Sequence, residues 1–409
     1  MKVLVVGGGS GGHITPAVAV VRQLLDLHPR TKVEFWTDRK YYDNVVKITT
    51  EIGVRWGEEE KQSGKKQYIR VRKIAAGKFH RYAGWKLKDY FENFSITVKD
   101  LIWGNICGFI GFVGGICQSF VRLIIKTARP DVIFLKGGFV GLPVGLVAKV
   151  LKIPYVIHES DAVPGLANRI LMKHASAVAV SMQPVSQDSM DNYILTGTPV
   201  APEFHTISLR EQKRLKRAAG FDPERPLVIV TGGSQGSLHI NEAMREILPE
   251  MLKFTSVGLI AGRKHYEDMI DLKKYEEWDQ AKLQSNFRLW NFSSVMNELM
   301  GAADVVVSRA GATTIAELAA LKKAVVLVPF EKLPGGHQVK NAERLAAADA
   351  AEVVVDERMV QQPGLLLETV KGLIKNPTKR ETLAANLHEN SKLDAAEQLA
   401  KIIIKVAGR

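Results

Sequence analysis

Two stretches of this chain carry side chains that could do chemistry. The first is Gly7-Gly8-Gly9-Ser10-Gly11-Gly12-His13, directly after the apolar run Val3 to Val6. The second is Ser308-Arg309-Ala310-Gly311-Ala312-Thr313-Thr314-Ile315-Ala316-Glu317, after Asp304 to Val307. Small residues at a strand-to-helix turn let backbone N–H groups close on a phosphate, and the helix N-terminus adds roughly half a positive charge to hold it. His13 falls at such a helix start, where the dipole lowers an imidazole pKa toward a neutral base; the plainer reading is a histidine that caps the turn. Thr313 and Thr314 can donate hydroxyls at the second helix end. Glu317 lies three residues beyond Thr314 and returns to the same helix face. A carboxylate there can accept both hydroxyls of a ribose, or else acts only as a partner of the helix dipole.

Two more turns repeat the pattern: Gly137-Gly138-Phe139-Val140-Gly141 after Val132 to Leu135, and Gly232-Gly233-Ser234-Gln235-Gly236-Ser237 after Leu227 to Val230. Three glycine-rich turns on two separated α/β halves predict a sugar-nucleotide site between two domains. The first turn also satisfies G-x-G-x-x-G through Gly7, Gly9 and Gly12, and Asp38 ends the second strand where a dehydrogenase would hold the ribose. A nicotinamide enzyme is therefore the runner-up on this fingerprint. His13 counts against it, because it stands where a dinucleotide pyrophosphate needs open space.

The elements that must position these residues alternate strand and helix throughout, which predicts doubly wound parallel sheets, an α/β architecture. Strands are expected near 2–7, 32–37, 131–136, 154–158, 177–180 and 193–196 in the first half, six making a complete open sheet. In the second half they recur near 226–231, 256–261, 286–290, 304–308, 324–328 and 352–355. Pro199, Pro202 and the polar run to Ser208 mark a boundary near residue 200. The expected division is 1–200, 201–380 and a C-terminal helix over 381–409.

Composition fits this plan. With 409 residues, 46% of them hydrophobic and 24% charged, the chain can bury two cores. The run from Met1 to Gly7 reads as a first buried strand rather than a signal peptide, being too short and lacking a small-residue cleavage site. Cys107 and Cys117 have no metal-ligand neighbours and are expected to be buried and structural. The formal charge is +13, and the stretch from Lys61 to Lys88 holds ten Lys or Arg and no Asp or Glu. It runs into an apolar stretch, Leu101 to Ile125, interrupted by Asn105, Gln118, Ser119 and Arg122 and containing five glycines. That stretch predicts a surface helix or helical hairpin resting on an anionic bilayer rather than a span; the alternative is a core helix behind a solvated basic loop.

Six ordered motifs carry a family resemblance that runs through nearly the whole length. They are Gly8 to His13; Gly137-Gly138-Phe139-Val140; His158-Glu159-Ser160-Asp161 with Val163-Pro164-Gly165-Leu166-Ala167-Asn168-Arg169; Gly232 to Gly236; Arg309 to Thr314; and His337-Gln338 with Asn341-Ala342. The chain resembles the cytosolic-face N-acetylglucosaminyltransferases of peptidoglycan synthesis, of the GT-B class. The resemblance implies two Rossmann-like domains facing across a cleft, with UDP-GlcNAc in the C-terminal one. The N-terminal one would take a polyprenyl-diphosphate-linked MurNAc-pentapeptide. It further implies a peripheral place on the cytoplasmic face of the cell membrane, other cell-wall synthesis proteins as partners, and neither nucleic acid nor a cofactor. The final helix is expected, by analogy of fold, to pack back on the N-terminal domain.

Carried over residue by residue, the resemblance sets Ser234 and Gly236 against the diphosphate and the backbone around Phe292 and Ser293 against the uracil. Arg309, Ala310, Gly311, Ala312, Thr313 and Thr314 would line the phosphates and sugar, Glu317 would hold the ribose, and Gln338 the sugar hydroxyls. Ser10, Gly11, Gly12 and Asp161 would close on donor sugar or acceptor diphosphate, with Asn168 nearby. The implied reaction is attack of a MurNAc C4 hydroxyl on C1 of GlcNAc with inversion and loss of UDP. His13 is the first candidate base and Asp161 the second. No Asp-x-Asp sequence occurs, which agrees with a metal-independent donor site.

Three departures stand out. Thr198-Pro199-Val200-Ala201 replaces the usual Asn-Pro-Val-Arg, removing an arginine that Arg309 or another cation would have to replace. Ser160-Asp161 replaces Gln-Asn, putting a carboxylate near phosphate-bearing ligands, and Leu333 to Gly336 replaces a more polar stretch. A diacylglycerol glycosyltransferase, a UDP-GlcNAc 2-epimerase and a non-enzymatic scaffold that binds UDP-sugars are the alternative readings.

Overall fold

A computed structural model describes residues 1–60, 69–78, 103–127, 129–161, 163–182, 193–233, 236–270, 283, 285–331 and 336–408, with side chains omitted over 53–60. The chain forms two compact units, Met1–Ala201 with Leu393–Arg409, and Pro202–Lys392.

The first unit is built on seven parallel strands: β1 (Lys2–Val6), β2 (Lys32–Thr37), β3 (Ile69–Lys73), β4 (Val132–Leu135), β5 (Tyr155–Glu159), β6 (Ala177–Val180) and β7 (Tyr193–Leu195). Their order is β3-β2-β1-β4-β5-β6-β7. Val3 and Val5 enter one core cluster and Leu4 and Val6 the other, so β1 is covered on both faces and reads as a continuous apolar run. β3 corrects the expectation of six strands. Its sequence Ile-Arg-Val-Arg-Lys alternates at the sheet edge, where only alternate residues need to be apolar.

The second unit has β8 (Leu227–Thr231), β9 (Ser256–Ile260), β10 (Phe287–Trp290), β11 (Val305–Ser308), β12 (Ala324–Leu327) and β13 (Glu352–Val353), all parallel, in the order β10-β9-β8-β11-β12-β13. In each unit the order reverses between the first strand and the fourth, at β1/β4 and at β8/β11. Ligands of open α/β sheets sit at such switch points, beyond the carboxyl ends of the strands. The glycine turns follow β1 and β4 in one unit, and β8 and β11 in the other.

The segment expected to form one C-terminal helix is two, Pro377–Glu389 and Ala395–Ala407. The second belongs to unit 1, where Leu399, Ala400, Ile403 and Val406 join the core beside the helix Gly11–Leu27.

The apolar stretch forms one helix, Gly104–Ile124, long and apolar enough to cross a membrane. It is no core helix: only Gly108, Gly115, Ser119 and Leu123 are buried, while Phe109, Ile110 and Val121 are 59%, 64% and 63% exposed. Gly108, Gly111 and Gly115 lie against the main chain of Ala75 to Lys78, so closely that a Cβ on Gly108 would meet the Lys78 carbonyl at 2.7 Å. The glycines that weaken this helix locally are thus what lets it dock. Cys107 and Cys117 are both exposed on it, against the expectation of burial. Of the basic stretch 61–88, only residues 69–78 are among those described.

Candidate functional site

In unit 1 the first glycine turn is shaped from beneath by a carboxylate. Gly9 stands at φ +79°, which its lack of a Cβ permits, and its N–H donates to Asp38 Oδ2 at 2.5 Å. Asp38 Oδ1 accepts from the backbone N–H of Lys40 at 2.9 Å and of Tyr41 at 3.2 Å. The carboxylate that a dehydrogenase would offer to ribose is therefore committed to the loop, and a Cβ at Gly8 would meet it at 2.5 Å. This geometry removes the support for a nicotinamide site. Ser10 is the N-cap of the helix Gly11–Leu27 with no side-chain cap bond, and Gly11, Gly12 and His13 form its first turn.

The His13 ring packs against Gly138, where a Cβ would lie 3.1 Å from His13 Cδ2. Its Nδ1 is sealed from solvent without a partner among the described residues, although part of the residue stays open. Burial first, then the Lys136 ammonium, lowers the His13 pKa to about 4, with a hydrogen bond to the Lys136 backbone working the other way. His13 is thus a neutral imidazole at pH 7, with a proton affinity well below that of a free histidine.

The β5 loop is tied by Glu159. Its Oε1 accepts from Asp161 N–H at 3.0 Å, and its Oε2 accepts from Gly165 N–H at 3.0 Å and Asn168 Nδ2 at 2.9 Å. Asn168 is buried and lies under Gly137, so it braces the turn. Asp161 is half-buried, and its charge and that of Glu159 act on Lys136. The Asp161 carboxylate thus has a cation close by before any phosphate arrives.

In unit 2 Gly236 stands at φ +76° against the Ala261 carbonyl, and Gly233 faces open space. Ser234 and Gln235, between them, lie outside the described residues, as do Leu333, Pro334 and Gly335. Gly311 is the N-cap of the helix Ala312–Leu321, again without a side-chain cap bond and with nothing within 4 Å of where its Cβ would be. Ala310 and Ala312 are buried, Thr313 and Thr314 half-buried, and the Ala310 carbonyl is pinned by Asn341 Nδ2 at 3.1 Å. An uncapped helix start between small residues is a ready anion site. Glu317 follows one turn on. Its side chain stays partly accessible, yet desolvation raises its pKa to about 8, so without ligand it is mostly protonated at pH 7.

Arg309 corrects the sequence reading. Its guanidinium donates to Asp356 Oδ1 at 2.5 Å, Ser237 Oγ at 2.5 Å and the Val328 carbonyl at 3.1 Å, and stacks over Phe330. Asp356 is buried and also meets His239 Nδ1 at 2.6 Å. Arg309 therefore braces the two turns, since Ser237 caps the helix Leu238–Met251, and is not available to replace the arginine missing at Ala201. Phe292 is exposed with the Arg263 guanidinium 4.5 Å from its ring centre, while Ser293 Oγ accepts from Val295 N–H at 3.1 Å. Gln338 accepts through Oε1 from Phe330 N–H at 2.9 Å, which leaves its NH₂ group as what it can offer a sugar.

Sequence reasoning misses Lys136, Asp38 as a loop brace, and the Asp356–His239 pair. Lys136 alone leaves a local signal, a lysine between a buried strand and a Gly-Gly turn. Among the described residues no group of three or more His, Cys, Asp or Glu could hold a metal ion.

Two parallel-sheet Rossmann-like units with small-residue turns at both switch points are the geometry of the GT-B fold, and the comparisons place the chain among glycosyltransferases. The glycosyltransferase family 28 N-terminal domain matches residues 3–180 and the family 28 C-terminal domain residues 227–399. The UDP-N-acetylglucosamine--N-acetylmuramyl-(pentapeptide) pyrophosphoryl-undecaprenol N-acetylglucosamine transferase of Clostridium kluyveri is 31% identical over 409 residues, covering 99% of both chains. The enzyme of the same name from Listeria welshimeri is 30% identical over 408 residues, also covering 99% of both. Among solved structures, Acinetobacter baumannii MurG aligns with a TM-score of 0.66 at 22% identity over 99% of both chains. Neisseria meningitidis UDP-GlcNAc 2-epimerase aligns at 0.62 and 14% identity over 99% of this chain and 100% of its own. The chain belongs to glycosyltransferase family 28, in its MurG-type branch.

Proposed function

We propose that this chain transfers GlcNAc from UDP-GlcNAc to the C4 hydroxyl of MurNAc in a polyprenyl-diphosphate-linked MurNAc-pentapeptide, with inversion and release of UDP. Unit 2 takes the nucleotide sugar: the uncapped start of the helix Ala312–Leu321 faces the diphosphate, Glu317 accepts the ribose hydroxyls, and the NH₂ of Gln338 meets the sugar. Unit 1 takes the acceptor, with the turns at Ser10 to Gly12 and Gly137-Gly138 toward its diphosphate. His13 removes the C4 proton. The helix Gly104–Ile124 lays its exposed apolar face on the cytoplasmic side of an anionic membrane.

One observation carries this reading: an uncapped helix start and a partly accessible carboxyl share one face of unit 2, in a chain 31% identical over its length to an enzyme named for this transfer. The epimerase likeness is one of fold alone, and an epimerase of a free nucleotide sugar has no use for an exposed apolar helix. Mass spectrometry after mixing the protein with UDP-GlcNAc and a short-chain lipid-linked MurNAc-pentapeptide is the test. Gain of one N-acetylhexosamine on the acceptor is expected. UDP-GlcNAc binding without transfer, or conversion of the sugar to its 2-epimer, would overturn the proposal.

A further inference from the structure

Two arginines of unit 2 lie within three residues of the carboxyl end of a strand, the edge of the sheet where ligands bind: Arg309 after β11 and Arg263 after β9. Arg309 spends its guanidinium inside the protein, on Asp356, Ser237 and the Val328 carbonyl. Arg263 does the opposite. It is exposed, and among the described residues its guanidinium has no hydrogen bond or ion pair; it lies over the Phe292 ring, 4.5 Å from the centre. Three other arginines stack on aromatic rings, Arg122 on Trp36, Arg288 on Phe221 and Arg309 on Phe330, and each also donates to a main-chain carbonyl. Among the described residues, Arg263 alone is stacked with its donors free.

The backbone that carries Arg263 is pressed against the glycine turn after β8. A Cβ on Gly236 would come within 3.0 Å of the Gly262 Cα, the residue next to Arg263. That approach is fixed from two sides: the Ala261 carbonyl accepts from Asn241 Nδ2 at 3.0 Å, and the Ala261 N–H donates to the Trp290 carbonyl at 3.0 Å. Gly262 stands at φ +87°, and its carbonyl accepts from His265 N–H at 3.1 Å, a turn that sets Arg263 at the surface. At the other end of the side chain, Phe292 lies two residues beyond β10 with 47% of its surface open. Stacking uses the flat face of a guanidinium and leaves its five N–H donors, which lie in its plane, unspent. The ring thus holds a planar cation in place beside a phosphate turn without consuming it.

We propose that Arg263 is a nucleotide-binding residue: held on the Phe292 ring beside the Gly236 turn, its guanidinium pairs with the diphosphate of the nucleotide sugar. The inference rests on the reading of unit 2 as the UDP-sugar unit. A nucleotide sugar carries a formal negative charge on each of its two phosphates, whereas the turns offer backbone donors and roughly half a positive charge at the start of the helix Ala312–Leu321. With Arg309 locked to Asp356, the full positive charge has to come from elsewhere. Arg263 supplies it as a planar fork that matches phosphate oxygens. Lys264, its equally exposed neighbour, lies over no aromatic ring among the described residues and has nothing to aim it.

The test measures UDP and uridine binding by calorimetry for the full-length chain and its Arg263→Gln, Arg263→Lys and Lys264→Gln variants. Arg263→Gln is expected to weaken UDP binding about 10-fold or more and to leave uridine binding within about twofold. Arg263→Lys should recover part of the loss, because the charge remains and the fork does not. Added salt should cost the wild type more affinity for UDP than it costs Arg263→Gln, and Lys264→Gln should bind as the wild type does. Tm should hold in every variant, since no hydrogen bond is removed. Unchanged UDP affinity in Arg263→Gln overturns the proposal and leaves the donor reading of unit 2 standing. Equal losses for UDP and uridine overturn it too, by making Arg263 a support for the ring under the base. An equal loss in Lys264→Gln does the same, as the mark of diffuse surface charge. A wild-type chain that binds no UDP defeats the donor reading and this proposal with it.

Discussion

The two glycine-lined switch points are built alike in backbone and oppositely in what lies beneath them. Under the turns of unit 1 sit charged side chains, Asp38, Lys136 and Glu159, each bonded to the loop it supports. Around the turns of unit 2, Gly233 and Gly311 face empty space, and the charged residue behind them, Arg309, is locked to Asp356. Fixed charge suits the unit proposed to hold a reactive hydroxyl and its base, because it sets protonation states in advance. Open backbone suits the unit proposed to hold a diphosphate, which needs N–H groups and room.

That contrast can be broken first at His13. His13→Ala should lower kcat by about 100-fold or more while UDP binding to unit 2 is retained; calorimetry with UDP and a turnover assay read the two separately. Near-normal turnover would remove His13 from the chemistry. Next, Glu317→Ala should raise the donor KM roughly 10-fold, the loss of a charge-assisted contact. A pH series sharpens it. The free carboxyl has a pKa near 8 and the ribose prefers the ionised form, so binding releases a proton. UDP affinity should therefore fall as pH drops below about 8, by at most tenfold per unit, and Glu317→Gln should flatten that slope.

Two glycines of unit 2 then separate room from strain. Gly236→Ala meets a carbonyl at positive φ and should lower Tm and UDP affinity together. Gly311→Ala meets nothing in the unliganded unit at φ −76°, so Tm should hold while UDP affinity alone declines. If both fall in both variants, the open space at Gly311 is not where a ligand goes. The smallest effect belongs to Asn168→Ala in unit 1, which strips one donor from Glu159 and should cost about 1–3 kcal/mol of stability, read by denaturant unfolding, with donor affinity unmoved.

Much of this was legible in the residues, and the parts that were not share a cause. Apolar runs ending in glycine turns mark β1, β4, β8 and β11 because buried parallel strands need no polar alternation. β3 escapes that criterion, since an edge strand with Arg70 and Arg72 between Ile69 and Val71 resembles a basic loop. The small residues of Arg309 to Thr314 announce a phosphate turn, yet where the guanidinium points depends on Asp356, 47 residues away. Lys136 is hidden for the same reason: local sequence shows a lysine beside glycines, and only the fold shows that it is buried between two loops. The exposure of Cys107 and Cys117 follows from which helix face finds a partner, and periodicity cannot supply that in a stretch apolar on every side.

The helix Ala395–Ala407 gives the chain an order of assembly. Unit 2 is complete once Lys392 has been made, but the core of unit 1 still lacks Leu399, Ala400, Ile403 and Val406. During synthesis the half made first is therefore the half finished last, and the helix Gly11–Leu27 must keep an apolar flank uncovered while the whole of unit 2 is translated. Ribosome-bound intermediates ending near residue 392 are where this chain would most need a chaperone.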